Sequence, residues 1–276
     1  MGKTFRRLFA FALGSAAAWA VSIRPRTKNK PDMSPFFNYD YADGGLCDFM
    51  DARPEASDAS IRAAVNKGYG VALDIRVTKD GVPVVFKDSD LFRLCGVDGT
   101  LEERTLSELS AYFLQETEEK IMTLEEALDL INCRVPVILK LDVYKDNFGT
   151  LAHRVCEVTD CYEGVFTIES EDFRVLRWFA KERPRVIRGL VYRKQLNPDK
   201  TFTDFILCFI HNSLITNALS KPDYISAAFA DRDNFSIKVC RLLYHVPLTY
   251  RDVKDEIDYE TGRMQDAVVV FEGIEP

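Results

Sequence analysis

The sequence has little histidine, and Cys156 and Cys161 lie apart from other Cys or His residues that could bind zinc. Three histidines occur among 276 residues, and none stands at the end of a candidate strand. Because histidine is the commonest general acid or base, this scarcity argues against a histidine-based active site. The seven cysteines are odd in number and scattered, mostly within apolar runs. This pattern favours buried free thiols and disfavours a zinc site.

An excess of positive charge is also missing. The 36 Lys and Arg residues are outnumbered by 43 Asp and Glu residues, giving a net charge of −7 and a pI near 5.2. Nucleic-acid binding depends on clustered cations, so we exclude that class of partner. Apolar residues make up 47% of the chain and charged residues 29%. This balance is typical of a globular protein, and the length suits one large α/β barrel.

No apolar run reaches the roughly 20 residues that span a bilayer. The longest near the N-terminus, Leu8 to Ile23, has about 16 residues and resembles a secretory segment. Residues 1–35 are therefore predicted to be a targeting segment and basic linker, separate from a barrel domain at residues 36–276. Two outcomes stay open: a membrane association retained through residues 8–23, or export after cleavage at Ala20. Basic residues on both sides favour neither orientation: Lys3, Arg6, Arg7, Arg24, Arg26, Lys28 and Lys30.

Short β-branched runs alternate with helical patterns after residue 36, which predicts an α/β fold and a (β/α)8 TIM barrel. Nine candidate strands exceed the barrel's eight by one, so one of the nine is expected not to be a strand. The candidates are residues 38–42, 71–77, 83–87, 135–143, 164–168, 186–191, 223–227, 246–250 and 267–271.

Apolar residues at helical spacing lie between the candidate strands and are predicted to pack on the outside of the barrel. They include Ile61, Ala64, Val65, Leu124, Ala127, Leu128, Ile131, Leu151, Val155 and Val158. The segment from Thr201 to Ser220 predicts another apolar helix. This helix either covers the barrel or inserts into the surface of the membrane to which the N-terminal segment is predicted to bind.

Several segments together resemble the glycerophosphodiester phosphodiesterases, and the membrane-anchored bacterial members most. They are YADGGLCD at 41–48 and residues 53–99, 118–131, 135–143, 183–190, 221–226 and 268–276. The resemblance implies a TIM barrel and a role in lipid or glycerophosphodiester metabolism. It also implies a mechanism in which carboxylates hold a divalent cation and two histidines act as general acid and general base.

Both family histidines are replaced in this chain. The family's HRG motif falls on Asp43, Gly44 and Gly45, so its histidine and its arginine are missing. The family's HD pair falls on Lys87 and Asp88. Neither proton-transfer group that the resemblance implies is therefore present.

The carboxylates that the family uses for its cation are partly replaced as well. Its EN(S/T) motif keeps a glutamate, Glu55. Its ELD motif has Ala72 in place of the glutamate and keeps Asp74, and its ELK motif begins with Lys140 and ends with Asp142. Two metal carboxylates are thus missing, and Glu55 and Asp74 remain as doubtful ligands.

These losses predict a catalytically impaired or inactive member with no cofactor, because each general acid or base contributes about 10² to 10⁴ in rate and the metal more. We hypothesise that Lys140, and with it Lys87, takes the place of the cation and pairs with Asp74, Glu55 and Asp142, since a buried carboxylate without a cation is costly. The predicted pocket comprises Asp43, Glu55, Asp74, Lys87, Lys140 and Asp142. In a simpler interpretation, Asp74 and Glu55 are merely structural.

Two other functions stay open. Three carboxylates, Asp43, Asp74 and Asp142, could surround a relocated Mg²⁺ or Ca²⁺ in an active phosphodiester hydrolase, since these ions need only oxygen ligands. The barrel could instead be a structural partner of a membrane enzyme, although the sequence identifies no protein partner. The expected ligand is a phosphodiester or lipid-derived compound.

Overall fold

Eight parallel strands close into a barrel in the computed structural model, which describes residues 3–48, 50–194 and 202–276. The first strand pairs in parallel with both the second and the last, which closes the barrel. The strands are β1 Tyr41–Asp43, β2 Gly70–Val77, β3 Pro83–Val85, β4 Val137–Leu141, β5 Phe166–Ser170, β6 Ile187–Tyr192, β7 Tyr224–Ala228, β8 Leu248–Val253 and β9 Val268–Phe271. The predicted (β/α)8 barrel is confirmed.

All nine candidates are strands, so the expectation that one of them is not a strand was wrong, and β3 is the strand that lies outside the closed barrel. It pairs antiparallel with β2, because a tight turn at Thr78–Gly81 reverses the chain. The amide of Gly81 donates to the carbonyl of Thr78 at 3.0 Å. Gly81 has a φ of +84°, a conformation that glycine adopts without steric cost.

Helices surround the barrel, and those between its strands place their apolar faces against it. The described helices are α1 Lys3–Ser22, α2 Ser34–Phe37, α3 Asp58–Lys67, α4 Phe92–Cys95, α5 Leu106–Leu109, α6 Leu124–Ile131, α7 Phe148–Thr159, α8 Phe173–Glu182, α9 Phe202–Asn212, α10 Asn217–Ser220, α11 Phe235–Tyr244 and α12 Glu256–Met264. The apolar residues predicted for α3, α6 and α7 join one core cluster with the outer faces of the strands. Capping boxes at Ser57 and Thr123 fix where α3 and α6 begin.

A plug of apolar side chains fills the amino-terminal end of the barrel. Phe36 from α2 lies against Tyr41 and Tyr224, with ring centroids 5.0 and 5.2 Å apart. A Cβ at Gly189 would lie 2.4 Å from the ring of Tyr224, so this position needs glycine. Because this end of the interior is filled, a site inside the barrel must open at the carboxyl ends of the strands.

The carboxyl end of α1 contacts the barrel. The indole of Trp19 donates to the carbonyl of Ser213 at 3.2 Å, and the hydroxyl of Tyr244 donates to the carbonyl of Ala20 at 2.6 Å. Ile23 is buried, and its carbonyl accepts from the amide of Asn217 at 2.9 Å. Among the described helices, none is both long and apolar enough to cross a bilayer. The boundary at residue 35 stays a prediction.

The helix predicted from Thr201 to Ser220 is divided into two, α9 and α10. Leu214 between them has a φ of +58°, which an α-helix does not accommodate. The prediction of a single helix was therefore wrong, and Thr201 lies outside the described residues.

Candidate ligand site at the barrel mouth

The carboxyl ends of the strands bring the predicted pocket residues together at the barrel mouth, where their ion pairs form three neighbouring sets, which together are the mouth network. Four of the six sit on strands or directly after them: Asp43, Asp74, Lys140 and Asp142. Lys87 lies two residues after β3, and Glu55 comes from the loop that follows β1. Since parallel strands end at the same rim, residues far apart in sequence meet at the barrel mouth.

Lys140 lies between two carboxylates. Its ammonium donates to Asp74 Oδ1 at 2.5 Å and lies 3.0 Å from Asp142 Oδ1. Asp74 and Lys140 are paired residues in the β2–β4 ladder, which holds the two side chains side by side. This pairing agrees with the hypothesis that Lys140 takes the place of a cation.

Lys87 also lies between two carboxylates. Its ammonium lies 3.2 Å from Asp43 Oδ2 and 3.2 Å from Glu272 Oε2. Asp43 and Lys87, which replace the two family histidines, thus form an ion pair with each other. Neither is placed as an isolated proton donor or acceptor.

The most buried ion pairs of the mouth involve residues that sequence reasoning missed. Arg251 on β8 donates to Asp43 Oδ1 and to Glu169 Oε2, both at 2.8 Å. Glu169 on β5 is fully buried and also accepts from the hydroxyl of Tyr224 at 2.9 Å. Arg251 therefore joins β1, β5 and β8 across the inside of the barrel.

The structure pairs Glu55 with Arg93, and not with a lysine as hypothesised. Arg93, in the short helix α4, also contacts Asp88.

Gly44 forms the turn after β1 with a φ of +66°, and its amide donates to the carbonyl of Ala72 at 2.8 Å. Ala72 belongs to the apolar plug. Position 72 thus contributes no charge to the mouth, because its side chain is a methyl group one layer below Asp74.

The charges of the network hold both lysines in their cationic form. Burial opposes the charge of Lys140, but Asp74 and Asp142 outweigh it and raise its pKa above the ordinary value. Burial likewise opposes the charge of Lys87, and Asp43 and Glu272 raise its pKa. A general base must be unprotonated near neutral pH, so neither lysine is suited to that role.

The pKa values of the two aspartates that contact Lys140 are shifted in opposite directions. Burial raises the pKa of Asp74, but the charges of Lys140 and Arg251 more than offset it, and the pKa lies below its usual value. Burial and the neighbouring charge of Asp74 raise the pKa of Asp142. Asp74 is therefore the firmer anionic partner of Lys140.

The resemblance implies a divalent cation, and the residues present do not fit one. The carboxylates of Asp74 and Asp142 already share the ammonium of Lys140. The described ranges contain no group of three or more His, Cys, Asp or Glu side chains arranged to hold a metal ion. A cavity of about 10 Å³ remains there, with room for about one water molecule, and is lined by Asp43, Gly44, Glu55, Ala56, Asp74 and Lys87.

A much larger cavity of about 770 Å³ opens beside this network. Its basic lining residues are Arg76, Lys87, Lys140, Lys145, Arg174 and Arg193, and its acidic ones are Asp88, Asp142, Glu171 and Asp172. Six cations stand against four carboxylates in this lining, but each cation also contacts a carboxylate, so an anionic ligand would share the cations with those partners. His211 also lines it, and its Nε2 lies 2.9 Å from the carbonyl of Arg193.

A closed barrel with ionisable side chains at the carboxyl ends of its strands defines a TIM-barrel protein with its site at the mouth. A sequence model of the glycerophosphoryl diester phosphodiesterase family matches residues 49–194, more than half of the 276-residue chain. The chain belongs to this family. No curated protein sequence matches the chain.

Solved structures of the same family share the fold. A phosphodiesterase from Oleispira antarctica, in complex with the product sn-glycerol-3-phosphate, is 20% identical with a TM-score of 0.69, over 85% of this chain and 92% of that one. A glycerophosphodiester phosphodiesterase from Parabacteroides distasonis is 16% identical with a TM-score of 0.66, over 85% and 92%. One from Thermotoga maritima is 20% identical with a TM-score of 0.62, over 85% and 94%.

Proposed function

We propose that this protein binds a phosphate-bearing glycerol compound at the barrel mouth and does not hydrolyse it by the metal and histidine chemistry that its resemblance implies. The observation that carries the proposal is the ammonium of Lys140, which lies 2.5 Å from Asp74 and 3.0 Å from Asp142. A protein cation bonded to these carboxylates leaves them poorly available to a divalent ion. The absence of a cofactor stays a prediction.

The ligand class follows from the cavity beside the network. Its volume of about 770 Å³ is within the range of small-molecule sites, and its cations outnumber its carboxylates. The Oleispira antarctica relative holds sn-glycerol-3-phosphate, which carries the phosphate that such a lining would attract. An active hydrolase built on Asp43, Asp74 and Asp142 is less well supported, because all three contact side-chain cations.

Calorimetric titration of the full chain tests this proposal. We expect sn-glycerol-3-phosphate to bind without added metal, and Mg²⁺, Ca²⁺ and Mn²⁺ to show no specific binding. A general phosphodiester such as bis(p-nitrophenyl) phosphate should not be turned over. Specific metal binding that is lost in Asp74→Asn, together with turnover, would show the protein to be an active enzyme.

Lys87→Gln is expected to weaken sn-glycerol-3-phosphate binding at least about tenfold, because one charge-assisted contact to phosphate is lost. Lys87 lines the large cavity and is partly exposed there. The matched control is Lys181→Gln, which removes a lysine whose side chain is 83% exposed. Calorimetry measures both affinities. Equal weakening in the two variants would mean that the mouth does not bind the phosphate.

We also propose that the protein lies on a membrane surface through residues 8–23 and the helices that they contact. The ring of Trp19 stacks on that of Phe235, with centroids 5.7 Å apart, so the end of α1 is continuous with α11. Large apolar side chains are exposed on α1, α9 and α11: Phe11, Val21, Phe205, Ile206, Phe209, Phe235, Leu242 and Leu243. Such a surface suits an acyl-chain boundary.

Leu242→Ser/Leu243→Ser is expected to reduce binding of the full chain to phosphatidylcholine vesicles at least about tenfold, since two leucines would no longer be buried in lipid. Sedimentation with vesicles measures the bound fraction. Phe92→Ser/Phe113→Ser is the control, because it removes two exposed apolar side chains near β3. The membrane proposal fails if the two double variants bind equally. Cleavage after Ala20 would remove Trp19 and its contacts, and it stays an alternative prediction.

A further inference from the structure

A second cavity, of about 440 Å³, lies at the amino-terminal ends of β6 and β7, the opposite end of those strands from the mouth. Residues 24–29 of the linker form one side of it, and Pro184, Arg188 and Lys221 contribute to the other. Its charged lining residues are all basic: Arg24, Arg26, Lys28, Arg188 and Lys221. This cluster stands out in a chain with a net charge of −7.

The linker is held in place against the barrel. The amide of Arg26 donates to the carbonyl of Pro222 at 2.9 Å. The guanidinium of Arg24 donates to the hydroxyl of Thr27 at 2.8 Å, and Nε of Arg26 donates to the carbonyl of Lys28 at 3.2 Å. These bonds arrange the loop before any ligand arrives, which reduces the entropy lost on binding.

Arg188 is the buried member of the cluster, with 2% of its surface exposed. Its two terminal nitrogens donate to the carbonyls of Val186 and Lys221 at 3.0 and 3.2 Å. Its Nε is buried and has no acceptor among the residues that the structure describes. Burial lowers the pKa of Arg188, which reflects the cost of a desolvated cation. An unpaired donor of this kind is rare in a protein interior unless something binds it.

One carboxylate offsets part of this charge. Asp223 Oδ2 accepts from the backbone amide of Arg188 at 3.0 Å, and Asp223 Oδ1 lies 3.6 Å from Nη1 of Arg26. The second distance is longer than a hydrogen bond. Five cations and one carboxylate leave an excess of four positive charges around the cavity.

We propose that this cavity is a phosphate-binding site, distinct from the barrel mouth, formed by the linker and the amino-terminal ends of β6 and β7. Arginine and lysine together are the side chains best suited to a tetrahedral, doubly charged phosphate group. The phosphate belongs to a free phosphate compound or to the headgroup of an anionic lipid, since the linker directly follows α1. The site is independent of the function proposed for the mouth.

Tungstate, a tetrahedral dianion with strong anomalous scattering, locates the site directly. Crystals of the full chain soaked in tungstate should show it against Arg188. The peak at this cavity should fall at least about tenfold in occupancy in Arg24→Gln/Lys28→Gln, which leaves buried Arg188 intact and removes two exposed cations. Arg62→Gln/Lys238→Gln removes one exposed arginine and one exposed lysine elsewhere and should leave the peak unchanged.

Tungstate bound at the mouth but absent from this cavity would overturn the proposal, and so would a peak that the Arg24→Gln/Lys28→Gln variant leaves unchanged. The source of the phosphate is decided by sedimentation of the full chain with vesicles of phosphatidylcholine, with or without phosphatidic acid. For a lipid headgroup, the variant loses the preference for phosphatidic acid and keeps its binding to phosphatidylcholine. For a free phosphate compound, the tungstate peak responds to the variant and the vesicle preference does not.

Discussion

Arg251→Met is expected to lower the free energy of unfolding by about 3–5 kcal/mol, because breaking a buried ion pair leaves its carboxylates uncompensated. The guanidinium donates to Asp43 and Glu169 at 2.8 Å each, and both carboxylates are almost fully buried. Asp43 would keep Lys87, whereas Glu169 would keep the neutral hydroxyl of Tyr224. Urea denaturation followed by circular dichroism measures the loss.

Two further variants test whether the loss of stability comes from the buried carboxylates that Arg251 contacts. Arg62→Met breaks an exposed pair with Asp58 within one helix and should cost less than about 0.5 kcal/mol. Arg251→Met/Glu169→Gln should recover part of the loss, since the charge left without a partner is neutralised. If Arg251→Met costs no more than Arg62→Met, the mouth network does not stabilise the barrel.

Lys140→Met is expected to cost about 3 kcal/mol and to make the protein responsive to divalent cations. The substitution leaves Asp74 and Asp142 on one barrel wall without the ammonium that they share. Carboxylate oxygens are the preferred ligands of Ca²⁺ and Mg²⁺, so an ion from solution should take the vacated place. At a hundred times its dissociation constant, such an ion would restore about 2.7 kcal/mol.

Thermal unfolding with and without Ca²⁺ measures this effect. The stabilisation should be absent from the unaltered protein and should disappear in Lys140→Met/Asp74→Asn, where one ligand is lost. Lys181→Met, on an exposed face, controls for the loss of a lysine. Equal stabilisation of the unaltered protein by Ca²⁺ would contradict the idea that Lys140 replaces a metal ion.

Together these variants test whether the ion pairs at the mouth stabilise the fold. Lys140 and Arg251 both contact carboxylates on other strands, so these ion pairs link strands of the barrel where the resemblance implies a catalytic centre. The phosphate binding proposed for the cavity beside this network would require neither metal nor histidine.

The barrel could be predicted from the sequence because its strands alternate with helices of clear periodicity. VALDIRV and AVVVF are short β-branched runs, and the residues between strands repeat at helical spacing. The one strand outside the barrel was not singled out, since 83–87 contains a short β-branched run like those of the barrel strands. Its direction depends on the turn at Gly81, whose effect on pairing is a property of the folded sheet.

The sequence predicted which six residues meet at the mouth, but only some of the ion pairs that they form. Asp74 and Lys140 meet as expected, because both face the inside of adjacent parallel strands. The residues that were missed are Glu169, Arg251 and Glu272, and each directly follows the end assigned to a strand, at 168, 250 and 271. Strand ends placed one residue further on would have shown all three as mouth residues.

The sequence alone determines the family, the eight-stranded barrel and the loss of the two histidines, since periodicity and motif spacing are local properties of the chain. It does not determine which charged side chains pair with each other. Arg251 contacts Asp43 across 208 positions of sequence, and Arg26 in the linker contacts Pro222 beside β7. Contacts of this range exist only once barrel closure has fixed which side chains share a space, so the mouth network and the basic cavity were decided by the tertiary structure.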